Sequence, residues 1–443
     1  MKPRPVAPKM QDYLGRPDFD LMKVLPASQA EMNRSDRYLS WPELRYKNPP
    51  KGLSNEEWWV GLKIQRLNGR RETPLRDKKG EPFTFSYINM MLDLAHRIDL
   101  KAGGSVHAER EGLLSSAGRN KYLLTSIIEE SIMSSMLEGA VVTRSEAKEL
   151  LRTHRRPVNE HERMVMNNYR TMQQILAWKN EPITVERILE LHRGMTEGTL
   201  AAPAKAGVFR SAEDDVRVET AIEGELIHTP PPAAELPARL QLLCYFANER
   251  DDTCFLHPVV RAIILHFWLA YDHPFVDGNG RTARALFYWA MLKEGFWIFE
   301  YISISREIFA HSKRYYSSFL NTEEDDNDLN YFICDQLRTI EESITHLYEH
   351  LERKRSEQQQ FVQQLKDSTA FNHRQRALIL HLLKHPETST NVSAYCREHH
   401  VVRQTARTDL TQLTDMGLLQ MMKVKREFVY YPAPDFEQRA KLL

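Results

Sequence analysis

The sequence predicts a mainly α-helical chain with one β-hairpin set into its middle and a small helical unit carrying a β wing at its C-terminus. Three observations carry that reading. From Asn120 to about Trp178, and again at 184–195, apolar residues recur at a spacing near 3.6, and Val185, Ile188, Leu189 and Met195 share one face. Two β-type runs, Val216-Arg217-Val218 and Glu225-Leu226-Ile227-His228, flank a turn containing Gly224 and end at Pro230-Pro231-Pro232. Residues 371–433 read as three short helices followed by two β-type segments.

Taken in order, residues 1–50 are polar and rich in proline, which predicts an irregular arm. The run SNEEWWVGLKIQ at 54–65 opens with a serine and two acids, a capped helix start, and its Trp58-Trp59 pair reads as core. Residues 86–99 have helical spacing that Gly103-Gly104 ends, and the stretch to Trp178 breaks near Arg156-Pro157. After the hairpin, helices are expected at 235–248, 257–271 and 282–294, with Phe287, Tyr288 and Trp289 as core. The acidic run Glu323-Glu324-Asp325-Asp326-Asn327-Asp328 reads as a solvated loop, and a polar helix over roughly 330–367 as a connector. The expected division is an N-terminal extension (1–110), a core (111–335), a helical connector (336–370) and a C-terminal domain (371–443). No internal repeat is apparent.

Composition narrows the function classes. The chain has 443 residues and 51.8 kDa, a length that suggests about three units. Apolar residues are 42% and charged residues 27%, the balance of a globular protein and not of a disordered one. Cys244, Cys254, Cys334 and Cys396 form no CxxC pair, which argues against a disulfide framework and a zinc ribbon. His399-His400 lacks a cysteine or acidic partner at ligand spacing and reads as a helix-end polar pair. The N-terminus has no apolar signal region, and Arg261, His266 and Asp272 interrupt the most apolar stretch, Val259 to Phe275. A soluble, cytoplasmic protein without a membrane span is the expectation. Net charge is zero, yet residues 1–110 carry +6 and residues 371–443 carry +4, which leaves −10 between them. The basic ends suit nucleic acid or a solvated surface equally.

Chemistry concentrates in twelve residues, His273-Pro274-Phe275-Val276-Asp277-Gly278-Asn279-Gly280-Arg281-Thr282-Ala283-Arg284. Two apolar helices flank a Gly-Asn-Gly loop whose glycines let backbone N–H groups approach an anion, and the next helix offers its positive N-terminus. Arg281 and Arg284, three apart, suit adjacent phosphates of a nucleotide. Asp277 can hold a hard cation such as Mg²⁺ bridging phosphate oxygens, and His273 is placed to take a proton from an attacking hydroxyl.

The run HPFVDGNGRTAR resembles the signature of Fic-domain proteins, HPFx(D/E)GNGRxxR, at every fixed position. The resemblance extends over roughly 120–335: Gly207-Val208-Phe209-Arg210, the Pro-rich exit and His257-Pro258 also look like the family. It implies a Fic helical bundle whose flap, placed at 216–228, positions a target. It implies an adenylyltransferase as well. His273 would deprotonate a Ser, Thr or Tyr hydroxyl of a target protein, the chain itself included, and the hydroxyl would attack the α-phosphate of ATP. Asp277 would hold Mg²⁺, Phe275, Gly278, Asn279 and Gly280 would line the nucleotide site, and Arg281 and Arg284 would hold the β- and γ-phosphates. Ser134-Ser135-Met136-Leu137-Glu138-Gly139 resembles the family's inhibitory motif, (S/T)xxxE(G/N), on a helix near 125–139. In the family that glutamate pairs with the second arginine, here Arg284, and takes the space of the γ-phosphate; in some relatives it supports removal of AMP. A homodimer is a further implication.

At the C-terminus, TARTDLTQLTDMGLL resembles the recognition helix and exit of winged-helix regulators, with Leu418–Val424 and Phe428–Tyr431 as the wing. Arg403, Gln404, Arg407, Lys423, Lys425 and Arg426 are then the candidate DNA contacts. Such domains also bind protein. Three alternatives stay open: another nucleotide donor such as UTP, de-AMPylation, and a DNA-binding regulator whose Fic core senses nucleotide.

Overall fold

The computed structural model describes residues 5–34, 36–102, 116–219, 226–249, 255–385, 388–424, 427–436 and 439–440. The expected turn at Gly224, the stop at Gly103-Gly104, Cys254 and the wing tip Lys425-Arg426 lie outside the described residues. The chain divides into two compact units, residues 1–347 and 348–443.

The first unit is mainly helical. It begins with α1 (Gln11–Leu14), α2 (Leu21–Met32), α3 (Trp41–Leu44) and α4 (Asn55–Leu67), so residues 1–50 are not an irregular arm. Their low apolar density conceals a small core in which Val24, Leu39, Trp41 and Leu44 close over Trp58 and Trp59. At the start of α4 the Glu57 amide donates to Ser54 Oγ at 3.1 Å and the Ser54 amide to Glu57 Oε2 at 2.7 Å, a reciprocal cap. A hairpin that periodicity did not reveal follows, β1 (Arg71–Arg76) against β2 (Pro82–Phe85). Then come α5 (Asn89–Ala102), α6 (Ser116–Leu137), α7 (Arg144–Thr153), α8 (Glu160–Trp178) and α9 (Val185–Thr196). The expected hairpin is present but shorter than its β-type runs, with β3 (Val218–Glu219) antiparallel to β4 (Leu226–His228).

Next are α10 (Leu236–Asn248), α11 (Pro258–Asp272) and α12 (Asn279–Lys293), then α13 (Ile304–Ala310), α14 (Ser312–Glu324) and α15 (Asn330–Asp367). Helices α11 and α12 are buried on nearly every face, from Val259 to Asp272 and from Arg281 to Leu292. A helix apolar all round belongs in a core, and each large side chain removed from water there stabilises by ~1.5–3 kcal/mol. The twelve-residue motif is the turn between these two helices.

The acidic run is not a solvated loop. Asp325, Asn327 and Asp328 are buried. Lys63 Nζ lies 2.7 Å from Asp325 and 3.0 Å from Asp326, Arg66 is 3.8 Å from Asp325, and Tyr38 donates to Asp328 at 2.7 Å. The basic N-terminal segment and the acidic middle of the sequence therefore neutralise each other inside the fold. A charge run shows its composition in sequence and conceals a partner 262 residues away.

The second unit holds α16 (His373–Lys384), β5 (Thr390–Asn391), α17 (Val392–His399), α18 (Arg403–Asp415), β6 (Leu419–Val424) and β7 (Glu427–Pro432), with sheet order β5-β7-β6. Leu378, Ile379, Tyr395, Leu410, Leu413 and Tyr430 form its core. His400 ends α17 in the left-handed conformation and the His399 ring lies 4.4 Å from Tyr395, in line with a helix-end pair. No helix among the described residues is long and apolar enough to cross a membrane, and Cys244, Cys334 and Cys396 are free thiols.

Candidate active site

His273 caps the C-terminus of α11 in the left-handed conformation, φ 44° and ψ 57°. Its Nδ1 lies 3.2 Å from the Ala270 carbonyl. A carbonyl only accepts, so Nδ1 carries the proton and Nε2 keeps the lone pair that a general base needs. Burial, with His228 and Arg210 nearby, pushes its pKa down to about 4, which leaves the ring neutral at pH 7.

The loop after it is braced from within. The Phe275 amide donates to Asn279 Oδ1 at 2.9 Å and Asn279 Nδ2 donates to the Phe275 carbonyl at 2.8 Å. The Phe275 ring is fully buried and stacks on His192 with centroids 3.7 Å apart and planes at 4°. Gly278 holds φ +79°, and a Cβ there would meet Thr196 Cγ2 at 2.7 Å, so glycine is required twice over. Helix α12 starts at Asn279, three residues earlier than its apolar periodicity predicts, because polar residues open its first turn.

The two arginines part company. Arg281 lies beneath the loop, donating to the Met195 carbonyl at 3.2 Å and to Asp277 Oδ2 at 3.4 Å, with its Nε buried and unpaired among the described residues. Arg284 faces α6: its Nε donates to Ser134 Oγ at 2.9 Å, and its Nη2 donates to the Ser134 carbonyl and to Glu138 Oε1, each at 2.9 Å. The Glu138 carboxylate also reaches Gly280, where an added Cβ would stand 2.2 Å from Oε1. A carboxylate thus sits against the first turn of α12, where helix N–H groups and a guanidinium favour an anion. Burial pushes Glu138 up, but Arg284 and Arg281 outweigh it and hold its pKa below the ordinary carboxylate value. Gly139, at φ +88°, ends α6, and the Ala140 amide donates back to the Ser135 carbonyl at 3.0 Å; this turn presents Glu138.

Asp277 is the metal candidate. Its carboxylate is 55% exposed, and its Oδ1 accepts from the Gly278 amide at 2.6 Å. No group of three or more His, Cys, Asp or Glu side chains that could hold a metal occurs among the described residues. One exposed carboxylate fits Mg²⁺, which keeps its waters and takes its remaining ligands from substrate phosphates.

Four residues that motif reading did not single out complete the site. The Gly207 amide donates to His192 Nδ1 at 2.9 Å, so Nε2–H donates to the Asp277 carbonyl at 2.8 Å. Asp272, buried and pushed up to about 6, accepts from Arg239 at 2.7 Å and from Trp268 at 3.0 Å. His228 at the end of β4 contacts Glu323 at 2.9 Å and the Tyr271 carbonyl at 2.7 Å. Arg210 binds the carbonyl of His273 at 2.8 Å. Only Arg210 left a sequence signal, within Gly207-Val208-Phe209-Arg210; a lone histidine on an apolar helix face reads as core. Arg403, Gln404 and Arg407 are exposed on α18 and Lys423 on β6, all in the other unit.

The model of the Fic/DOC family matches residues 182–291, which include the loop, His192, Arg210 and all but the last two residues of α12. This stretch is a Fic domain. Among curated proteins, the chain is 35% identical over 121 residues to "Protein adenylyltransferase Fic" of Nematostella vectensis, covering 27% of this chain and 26% of that protein. It is 30% identical over 166 residues to "Protein adenylyltransferase Fic" of Drosophila grimshawi, covering 36% and 32%. The match thus spans about a quarter to a third of those relatives' length. Among solved structures, a Fic family protein from Desulfovibrio desulfuricans G20 aligns over 78% of this chain and 95% of its own, at 17% identity and a TM-score of 0.49. Ser134 and Glu138 come to the Fic domain from α6, outside the matched residues.

Proposed function

We propose that this chain is a protein adenylyltransferase that moves AMP from ATP to a hydroxyl of a target protein, and that Glu138 holds it shut. The observation that carries the reading is the Glu138 carboxylate against Gly280 and Arg284, in an anion site beside a neutral histidine. His273 Nε2 takes the proton of a Ser, Thr or Tyr hydroxyl. The oxygen attacks the α-phosphorus, the bond from that phosphorus to the β-phosphate bridging oxygen breaks, and pyrophosphate leaves. The loop and the start of α12 hold the phosphates, so catalysis is positioning and charge neutralisation. Mg²⁺, held by Asp277, would neutralise phosphate charge. Arg284 takes the terminal phosphates once Glu138 releases it, while Arg281 steadies Asp277 from below. The β3–β4 hairpin is the flap that presents the target segment.

The test is incubation of the wild type, Glu138→Gly and His273→Ala with Mg²⁺ and α-labelled ATP, followed by intact-mass analysis. Label on protein should rise about tenfold or more in Glu138→Gly, a barrier change of at least ~1.4 kcal/mol, and be absent in His273→Ala. Equal labelling of all three removes both the base and the lock.

A second activity belongs to residues 348–443, where Arg403, Gln404 and Arg407 share the exposed side of α18. Three helices followed by a β-ribbon suit a winged helix that places α18 in the major groove. Duplex DNA should be retarded at low salt and lose retardation in Arg403→Ala/Arg407→Ala; no retardation of any duplex at low salt rejects this activity.

A further inference from the structure

Arg210 touches none of the groups that would react, yet it gathers the chain segments that frame them. Its Nε donates to the His273 carbonyl at 2.8 Å, and its Nη2 donates to the Pro231 carbonyl at 2.5 Å and the Asp272 carbonyl at 3.3 Å. Its own amide donates to the Pro274 carbonyl at 2.9 Å. The side chain is buried, at 8% exposure. Two of the three carbonyls it binds through its side chain end α11, and the third belongs to the proline run that leaves β4. His273 is a non-glycine residue held at positive φ, a conformation that costs about 1–3 kcal/mol and persists only where the surroundings enforce it. A guanidinium enforces it here: a cation at a helix C-terminus is favourable, and its planar fork reaches two chain segments at once, which a lysine cannot do.

We propose that Arg210 is a positioning residue that fixes the orientation of His273 and ties it rigidly to the exit of the β3–β4 hairpin, so that base and presented hydroxyl keep one register. The inference rests on the transfer reaction proposed above. Four groups act electrically on the His273 ring: the Ala270 carbonyl, His228, Glu138 and Arg210 itself. Loss of the Arg210 cation and of close packing would both favour the imidazolium form.

The experiment compares Arg210→Gln, Arg210→Lys and His273→Ala in the full chain carrying Glu138→Gly. AMP transfer is measured alongside NMR titration of the His273 ring, assigned by its disappearance in His273→Ala. Arg210→Gln should lower kcat about 100-fold, the scale of a small misplacement of a reacting group, with KM for ATP changed less than about threefold. Arg210→Lys should recover no more than about a tenth of the activity, since it restores charge without the fork. The His273 titration should move up in Arg210→Gln, toward about 6.5. Undiminished kcat, an equal loss in KM, or an unmoved titration overturns the proposal. Should the Glu138→Gly parent transfer nothing, the reaction reading fails, while the His273 titration still decides whether Arg210 positions the ring.

Discussion

At the residue scale, the site turns on which histidine nitrogen holds a proton. The Ala270 carbonyl assigns Nδ1–H to His273 and the Gly207 amide assigns Nε2–H to His192, so the two imidazoles are held in opposite tautomers by backbone alone. Each is pushed down to about 4 by burial. In the proposed role of base His273 must be unprotonated, so its active form would be complete well above pH 4 and lost as pH falls through it. Transfer by Glu138→Gly should therefore be flat between pH 6 and 8 with respect to this group. A profile centred near about 6.5, the value of a solvent-exposed imidazole, would contradict the burial. The motif residues themselves were legible in sequence, because glycine, asparagine and arginine at fixed spacing have few structural uses. Arg210 showed only within Gly207-Val208-Phe209-Arg210 and His192 not at all, because their work consists of hydrogen bonds to backbone carbonyls and amides, and nothing in residue type announces a carbonyl partner.

At the element scale, periodicity located α9, α10, α11 and α15 to within a residue or two, since each keeps an apolar face or a sustained polar run. It misjudged two places, each for its own reason. The β1–β2 hairpin lacks clean alternation, because Thr73 turns inward and donates to the Phe83 carbonyl at 2.9 Å. The acidic run looked solvated because Lys63 and Arg66 were invisible as its counterions. Lys63 is buried and serves both Asp325 and Asp326. Lys63→Met leaves a buried carboxylate short of its partner, and should cost about 3–5 kcal/mol of stability, read as a lowered denaturant midpoint. An unchanged midpoint would mean that Arg66 and the Tyr331 hydroxyl, which donates to Asp325 Oδ2 at 2.7 Å, suffice.

At the scale of the whole molecule, several titratable groups are more easily ionised in the unfolded chain. Burial pushes His192 to about 4 and His266 to about 3. A histidine with a depressed folded pKa binds a proton more readily when unfolded. Stability is therefore full above the unfolded pKa of about 6.5 and falls as pH drops toward the folded values, by at most roughly 3 kcal/mol for His192 and roughly 5 kcal/mol for His266. Asp272, pushed up to about 6, works in the opposite sense. Thermal unfolding of the full chain followed from pH 7 to pH 4 should thus show a steady loss of Tm, smaller in His266→Phe; a Tm indifferent to pH over that window would show that these rings are not buried neutral.

The turn at Gly139 has one more consequence. On the proposed reading, Glu138 is an anionic ligand on a tether of a few residues, and a tethered ligand competes at an effective concentration in the millimolar range or above. ATP meets a site whose apparent affinity is the intrinsic one reduced by the fraction of time that the tether is off. The sensitivity of the protein to nucleotide would then be set jointly by the contacts that ATP makes and by the fraying of the last turn of α6. A partner that binds the end of that helix could retune the response while leaving every nucleotide-binding residue untouched.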